Sequence, residues 1–349
     1  MKVGYELFYV ALSILLFLCV YYFTKLYIKL VPIHKIQANP NDRTIHKKSI
    51  PTGGGIGFAL FHLVFLFISM NGIVENDVKT LIYYMTIGGS AILFLGFIDD
   101  KYSIKAIYKF IAQILIAYFM VEFGFKISVI TNIFGDPFYL HNWSIPITIV
   151  WYVFLMNAIN LIDGLDGLAA GIAIISSLVL MVYSFFNRNF FVFINCNFLA
   201  LGLIAFLRFN YFPAKVFMGD TGSLFIGFML ASLSIAGNEV SFKGLTTFTL
   251  LIPVTVMFLP IADTVFTFVR RVKSKQLIFS ADKKHLHHMI IEKGFSQKTV
   301  TLMFWFITLV FGVIALGYMF VPSIIMFIML FLISILLICL FFYIYKKEE

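Results

Sequence analysis

Asn157, Asn160, Asp163 and Asp166 recur at every third position across the stretch Asn157-Ala158-Ile159-Asn160-Leu161-Ile162-Asp163-Gly164-Leu165-Asp166-Gly167. On a helix that spacing keeps two amides and two carboxylates on one slowly drifting face. Gly164 and Gly167 loosen such a helix and let a ligand approach the backbone closely. Apolar runs flank the stretch, Ile145 to Met156 before it and Ile172 to Phe186 after it. The polar groups therefore sit at the mouth of two membrane-spanning segments. Charge at membrane depth is expensive, which makes these residues functional candidates by default. The competing reading is a plain polar turn between two spans.

Further polar clusters end or begin other apolar runs. Asp99-Asp100-Lys101 follows Gly96-Phe97-Ile98, Met218-Gly219-Asp220-Thr221-Gly222-Ser223 opens a run, and His285-Leu286-His287-His288 follows Lys283-Lys284. Asp99, Asp100, Asp163, Asp166 and Asp220 are expected to converge on one membrane face. Clustered carboxylates repel one another unless a proton or cation joins them. Mg²⁺ suits a site with few protein ligands that also binds substrate phosphates. Adjacent Asp99 and Asp100 cannot both face one point, so one works at the reacting centre and the other beside it. Helix capping is the alternative for Asp99-Asp100 and for Asp220. The basic, Gly-rich segment from Lys47 to Gly55 offers ammonium groups and backbone N–H groups to an anion. Three imidazoles in four residues could hold zinc, but no cysteine lies near, and the adjacent lysines favour phosphate binding or proton handling. Asp263, shortly after Pro260, reads as a structural polar contact at a kink.

Elements that position these groups follow from composition. Of the 349 residues 61% are hydrophobic and 12% charged, against about 25% charged in soluble domains. The chain is an integral membrane protein. Apolar runs near 5–23, 53–70, 81–98, 107–123, 145–162, 167–186, 190–206, 222–236, 245–268, 301–320 and 324–345 predict an all-α bundle of about eleven spans. Ten is the competing count, because only Val321-Pro322-Ser323 separates the last two runs. Most Lys and Arg residues fall on one set of loops, which is therefore cytoplasmic, with the N-terminus outside and the C-terminus inside. The same rule explains the net charge of +9 without a nucleic-acid partner. Cys19, Cys196 and Cys339 lie in apolar runs and share no metal-ligand spacing. The candidate loops, near 35–55, 99–105, 157–171, 208–223 and 270–298, all belong to the inner side of a single domain spanning 1–349. On the outer side, Gly124 to Ser144 has the composition of a small hairpin.

Together, Asp99-Asp100, Asn157-x-x-Asn160-Leu-x-Asp163-Gly-x-Asp166-Gly, Phe-Met-Gly-Asp220-Thr-Gly-Ser and His285-Leu-His-His resemble the polyprenyl-phosphate N-acetylhexosamine-1-phosphate transferases, from about Asn39 to His288. That resemblance implies transfer of a sugar 1-phosphate from a UDP-sugar to undecaprenyl phosphate in the inner leaflet of a bacterial cytoplasmic membrane. UMP is released, and Mg²⁺, with Mn²⁺ as a substitute, is the cofactor. Asp220, with Asp99, is then the metal ligand, and Asp99 activates the lipid phosphate with Asp100 beside it. The resemblance assigns Asn160, Asp163, Gly164, Asp166, Asn210 and Phe217 to the nucleotide site, with Asn157 among the substrate-binding residues. Lys47, Lys48 and Thr52 fall where phosphates are contacted, and His285, His287 and His288 lie near the diphosphate. His-Leu-His-His, with Arg270 and Arg271 before it, favours N-acetylglucosamine over MurNAc-pentapeptide. The segment from Asn41 to Gly55 is similar to the branch acting on N-acetylfucosamine or N-acetylquinovosamine, but that branch has Arg where Thr52 stands and differs around Asn157, so N-acetylglucosamine is the expected sugar. Members of the family are often homodimers. A cation- or proton-coupled transporter is the rival class, and it requires midplane polar residues and internal pseudo-symmetry. A non-catalytic scaffold would leave the ordered motifs unexplained.

Overall fold

The computed structural model describes residues 3–31, 37–38, 49–72, 76–130, 132, 136–239, 250–273 and 285–346. Among the described residues, each apolar run of the sequence coincides largely with helix. In chain order these are α1 (Val3–Leu30), α2 (Ile56–Ser69), α3 (Asn76–Tyr102), α4 (Ala106–Glu122), α5 (Ser144–Ile162), α6 (Leu168–Phe186) and α7 (Phe190–Asn210). There follow α8 (Gly219–Glu239), α9 (Leu251–Val256), α10 (Phe258–Lys273), the short α11 (Leu286–Glu292), α12 (Gln297–Gly317) and α13 (Ser323–Lys346). Among the described residues, α1, α3, α5, α6, α7, α8 and α12 are long and apolar enough to cross a membrane. A helix satisfies its own backbone hydrogen bonds, which hydrocarbon cannot do, so a run this apolar is stable in lipid only in that form. This is a polytopic membrane helix bundle.

Burial identifies its axis. In α8, 89% of the apolar window is enclosed by protein, against 33% in α1. Leu224, Phe225, Phe228, Met229 and Leu230 of α8 are wholly inside, with α3, α5, α6, α7 and α2 around them. The rim helices turn apolar side chains outward instead: Leu7 and Ile14 of α1, Leu115 of α4, Phe331 and Leu336 of α13. Lipid tails are as apolar as those side chains, so helix association rests on close packing and interhelical hydrogen bonds. Both are present. Trp151 donates to Ser234 at 2.9 Å and Asn197 donates to Ser13 at 2.7 Å, tying α5 to α8 and α7 to α1.

Close packing depends on glycine where helices meet α8. A methyl group on Gly55 would overlap the backbone of Gly222, and one on Gly96 would overlap the backbone of Thr221. Gly55→Ala should therefore force α2 off α8 and lower stability by about 1–3 kcal/mol. Thermal unfolding in detergent checks this, and an unchanged midpoint would refute the tight crossing.

Two local features depart from the periodicity of the sequence. First, α5 stops at Ile162, and Asp163 takes a non-helical conformation (φ −76°, ψ 43°). Asn157 and Asn160 are helical, but Asp163 and Asp166 lie in the turn leading to α6, so the four do not share one helical face. Gly167 at φ +72° sets that turn, a conformation open to glycine at little cost. Second, the run near 245–268 is broken at Met257, between α9 and α10. Pro260 has no N–H and its ring crowds the carbonyl four residues back, that of Val256, where α9 ends. On the segment from Gly124 to Ser144, Val129–Ile130 and Phe138–Tyr139 pair antiparallel as the expected hairpin.

Candidate active site

The ends of four helices meet at one point. Lys109 of α4 donates to Asp99 Oδ2 of α3 at 3.0 Å and also to Asp220 Oδ2 at the start of α8. Asn160, in the last turn of α5, donates to Asp220 Oδ1 and to Ser223 Oγ, both at 2.9 Å. Asp99 Oδ1 accepts from the backbone N–H of Ile104 at 2.9 Å, which fixes the carboxylate against the α3–α4 turn. Two hard oxygen donors on different helices thus share one cationic neighbour.

Asp100 does something else. Its oxygens accept from the backbone N–H of Asp220 at 2.8 Å, from that of Thr221 at 3.0 Å, and from the Thr221 hydroxyl. The first turn of a helix leaves its N–H groups without partners and carries partial positive charge, so a carboxylate there is doubly favoured. Asp100 is the cap of α8, supplied by α3. The adjacent pair therefore divides, Asp99 to the contact with Lys109 and Asp100 to the first turn of the helix that presents Asp220.

Beside this point lies the turn between α5 and α6. Burial and the negative charges of Asp220, Asp100 and Asp166 push Asp163 well above the ordinary carboxylate range. Asp166 faces the other way and accepts from the backbone N–H of Ala214 at 2.8 Å. Asn210 accepts from Gly167 N–H at 3.2 Å and donates to the Val216 carbonyl at 3.0 Å, joining the turn to the segment before α8. Among the described residues no three acidic, imidazole or thiol groups gather closely enough to hold one ion. The five carboxylates lie at the same helix ends, but they do not all gather on one ion. Asp99 and Asp220 form the shared pair, Asp100 caps α8, and Asp166 braces a loop.

The histidines close over the same turn. Asp263 of α10, 1% exposed, accepts from Leu286 N–H at 2.9 Å and lies 3.1 Å from His285 Nδ1, so it anchors the start of α11. The structural contact expected for Asp263 is this one. His287 is fully buried and packs on the ring of His288, with centroids 4.3 Å apart. Burial, reinforced by His288, pushes its pKa down to about 3, leaving a neutral imidazole at physiological pH. Both its ring nitrogens lack a hydrogen-bond partner among the described residues. A methyl group on Gly164 would overlap Nε2 of that ring. Gly164→Ala should therefore displace His287 from the turn and cost about 100-fold in turnover, the effect of a small misplacement near a reacting centre. Steady-state kinetics on the folded variant test this, with near-wild-type turnover as the contrary result.

The Gly-rich segment has a different use from the one expected. Gly54 and Gly55 donate their N–H groups to the carbonyls of Phe217 and Met218, each at 2.9 Å, and Phe217 N–H donates to Pro51 at 2.8 Å. Those amides hold the approach to α8 and are not free to cradle an anion. Thr52 gives its carbonyl to the Tyr27 hydroxyl at 2.7 Å. Lys47 and Lys48 lie outside the described residues. Asn157, a turn before Asn160, donates to Gln113 of α4 at 2.8 Å, away from Asp220. Arg270 and Arg271 occupy the last turn of α10, with Arg271 buried. Lys109 was legible only as one more inner-loop cation. Its spacing of ten residues from Asp99, across a short turn, was the available signal.

Comparison with known proteins identifies the family. A family model described as glycosyl transferase family 4 matches residues 82–238, which include Asp99, Lys109, Asn160 and Asp220. The chain is 36% identical over 282 residues to a probable undecaprenyl-phosphate N-acetylglucosaminyl 1-phosphate transferase of Bacillus subtilis, covering 79% of this chain and 75% of that one. It is 32% identical over 309 residues to a decaprenyl-phosphate N-acetylglucosaminephosphotransferase of Mycobacterium leprae, covering 80% and 75%. A phospho-N-acetylmuramoyl-pentapeptide-transferase of Staphylococcus saprophyticus is 31% identical over 290 residues, covering 77% and 85%. With the motifs assembled at the ends of α3, α4, α5 and α8, the chain belongs to the polyprenyl-phosphate N-acetylhexosamine-1-phosphate transferases.

Proposed function

We propose that this protein transfers N-acetylglucosamine 1-phosphate from UDP-N-acetylglucosamine to undecaprenyl phosphate, releasing UMP, as a first step in building a cell-envelope glycan. The observation that carries the proposal is the Asp99–Lys109–Asp220–Asn160 cluster. Support for the sugar comes from the relatives in Bacillus subtilis and Mycobacterium leprae, whose names specify N-acetylglucosamine. The active site faces the cytoplasm, where a soluble nucleotide meets a lipid acceptor at the inner leaflet.

A phosphate oxygen of the lipid attacks the β-phosphorus of the UDP-sugar. The bond from that phosphorus to the bridging oxygen breaks, and its electron pair departs on UMP. Asp99, held by Ile104 N–H and Lys109, orients the incoming phosphate and takes any proton it still carries. The Lys109 ammonium is fixed positive charge where phosphoryl oxygens gather. Asn160 and the cap from Asp100 hold Asp220 in place. The neutral His287 lies against Gly164, in the turn between α5 and α6. Asp220 and Asp99 suit Mg²⁺, since their Oδ2 atoms already share one cation and both are hard donors. When bound there, Mg²⁺ supplies charge neutralisation to the diphosphate.

The purified protein, given undecaprenyl phosphate, Mg²⁺ and a panel of UDP-sugars, should release UMP fastest from UDP-N-acetylglucosamine. Chelation should abolish release and added Mg²⁺ restore it. Release only with UDP-N-acetylfucosamine, UDP-N-acetylquinovosamine or UDP-MurNAc-pentapeptide would reassign the sugar. Cation flux without UMP would replace the enzyme by a transporter.

A further inference from the structure

Outside the catalytic cluster, a cavity of about 450 Å³ opens between the end of α7 and α12. Its walls are chiefly apolar, with Ile204, Leu207 and Phe212 on one side and Trp305 on the other, and Arg208 and Lys215 also line it. Phe212 and both cations are exposed, whereas Trp305 is half-buried. An apolar slot with aromatic rings and two cations, at the end of membrane-spanning helices, has the chemistry of an interfacial lipid site. Neither cation is used by the cluster around Asp220.

The cavity lies against the turn between α5 and α6 and the start of α6. The Trp305 indole N–H donates to the Leu168 carbonyl at 3.3 Å, and its ring fills the space that a side chain on Gly171 would need. Tyr211 packs on Trp305, with centroids 5.8 Å apart, and lies against Gly167. The segment carrying Phe212 and Lys215 also holds Asp166, through Ala214 N–H. Anything filling the cavity therefore presses on the turn that carries Asp163 and Asp166.

We infer that this cavity binds an anionic phospholipid of the surrounding leaflet, its headgroup phosphate between Arg208 and Lys215 and an acyl chain against Ile204, Leu207 and Trp305. Charge complementarity selects this occupant: a zwitterionic lipid would bring its own cation to a site that already has two. The bound lipid braces the 209–215 segment, and so the turn between α5 and α6.

The test does not depend on the catalytic assignment. Full-length protein is placed in nanodiscs of phosphatidylcholine containing a small fraction of phosphatidylglycerol with brominated acyl chains, and tryptophan emission is recorded. Brominated phosphatidylglycerol should quench more than brominated phosphatidylcholine at equal fraction, and Trp305→Phe should remove the excess. Two cations at the interface give a preference of about 10- to 30-fold, which Arg208→Gln with Lys215→Gln should abolish. Native mass spectrometry of the wild-type protein and of the double variant gives a second readout, retained phosphatidylglycerol, should Trp305→Phe fail to fold. Equal quenching by both lipids, or an unchanged preference in the double variant, overturns the inference. So does displacement by inorganic phosphate, which would make the site a free-anion site, or by undecaprenyl phosphate, which would make it part of the acceptor path.

Discussion

Asp220→Ala is expected to lower UMP release by about three orders of magnitude while the protein remains folded. Asp220 Oδ2 shares Lys109 with Asp99, and Oδ1 is held by Asn160, so this one side chain joins α8 to α4 and α5 at the reacting point. Its loss leaves Asp99 and Lys109 as an ion pair with no opposing carboxylate, and a divalent ion would then lose a ligand. The backbone of residue 220 still donates to Asp100, so α8 keeps its cap. Asp99→Ala should behave likewise. Asp100→Ala should not, because that carboxylate meets three donors on the first turn of α8. Its removal should cost about 1–3 kcal/mol of stability for each buried donor left unpaired. Measuring both UMP release and the unfolding midpoint separates the neighbours; equal loss of stability in Asp99→Ala and Asp100→Ala would contradict the division of roles.

Lys109→Ala should reduce turnover by about 100- to 1,000-fold, and saturating Mg²⁺ should not rescue it. The ammonium is the only side-chain cation contacting Asp99 and Asp220 among the described residues. Without it, two carboxylates face each other across the space that must receive a diphosphate. Lys109→Arg should recover little, since a planar guanidinium cannot place its charge where a compact ammonium sits. Turnover within a few-fold of wild type in Lys109→Ala would remove this residue from the mechanism. Kinetics at several Mg²⁺ concentrations make the comparison.

Much of the architecture was legible in the sequence because lipid tolerates so few alternatives. A run such as Leu168 to Phe186 has one stable form in a bilayer, so composition alone located its helix. The motif residues at helix ends were legible for a related reason: Asp99, Asp163 and Asp220 interrupt apolar runs, and an interruption costs too much to be idle. What the sequence concealed was direction. Periodicity placed Asp163 and Asp166 on a helix, yet α5 ends at Ile162 and both lie in the turn before Gly167, where Asp166 braces Ala214. Glycine at 54 and 55 suggested an anion cradle, but the same small residues allow helices to touch, and here Gly55 meets Gly222. Lys109 was hidden because positive-inside loops are rich in lysine, and only three-dimensional proximity distinguishes one from another.

The reach of Asp100 across to Thr221 also bears on how the protein is made. Asp99, Asp100 and Lys109 leave the ribosome well before residues 220 and 221 exist. A nascent chain carrying only α1 to α4 can pair Asp99 with Ile104 and Lys109, but it holds Asp100 with its later donors missing. Completion of the centre thus waits on α8, and a product truncated before it keeps Asp100 without these three donors.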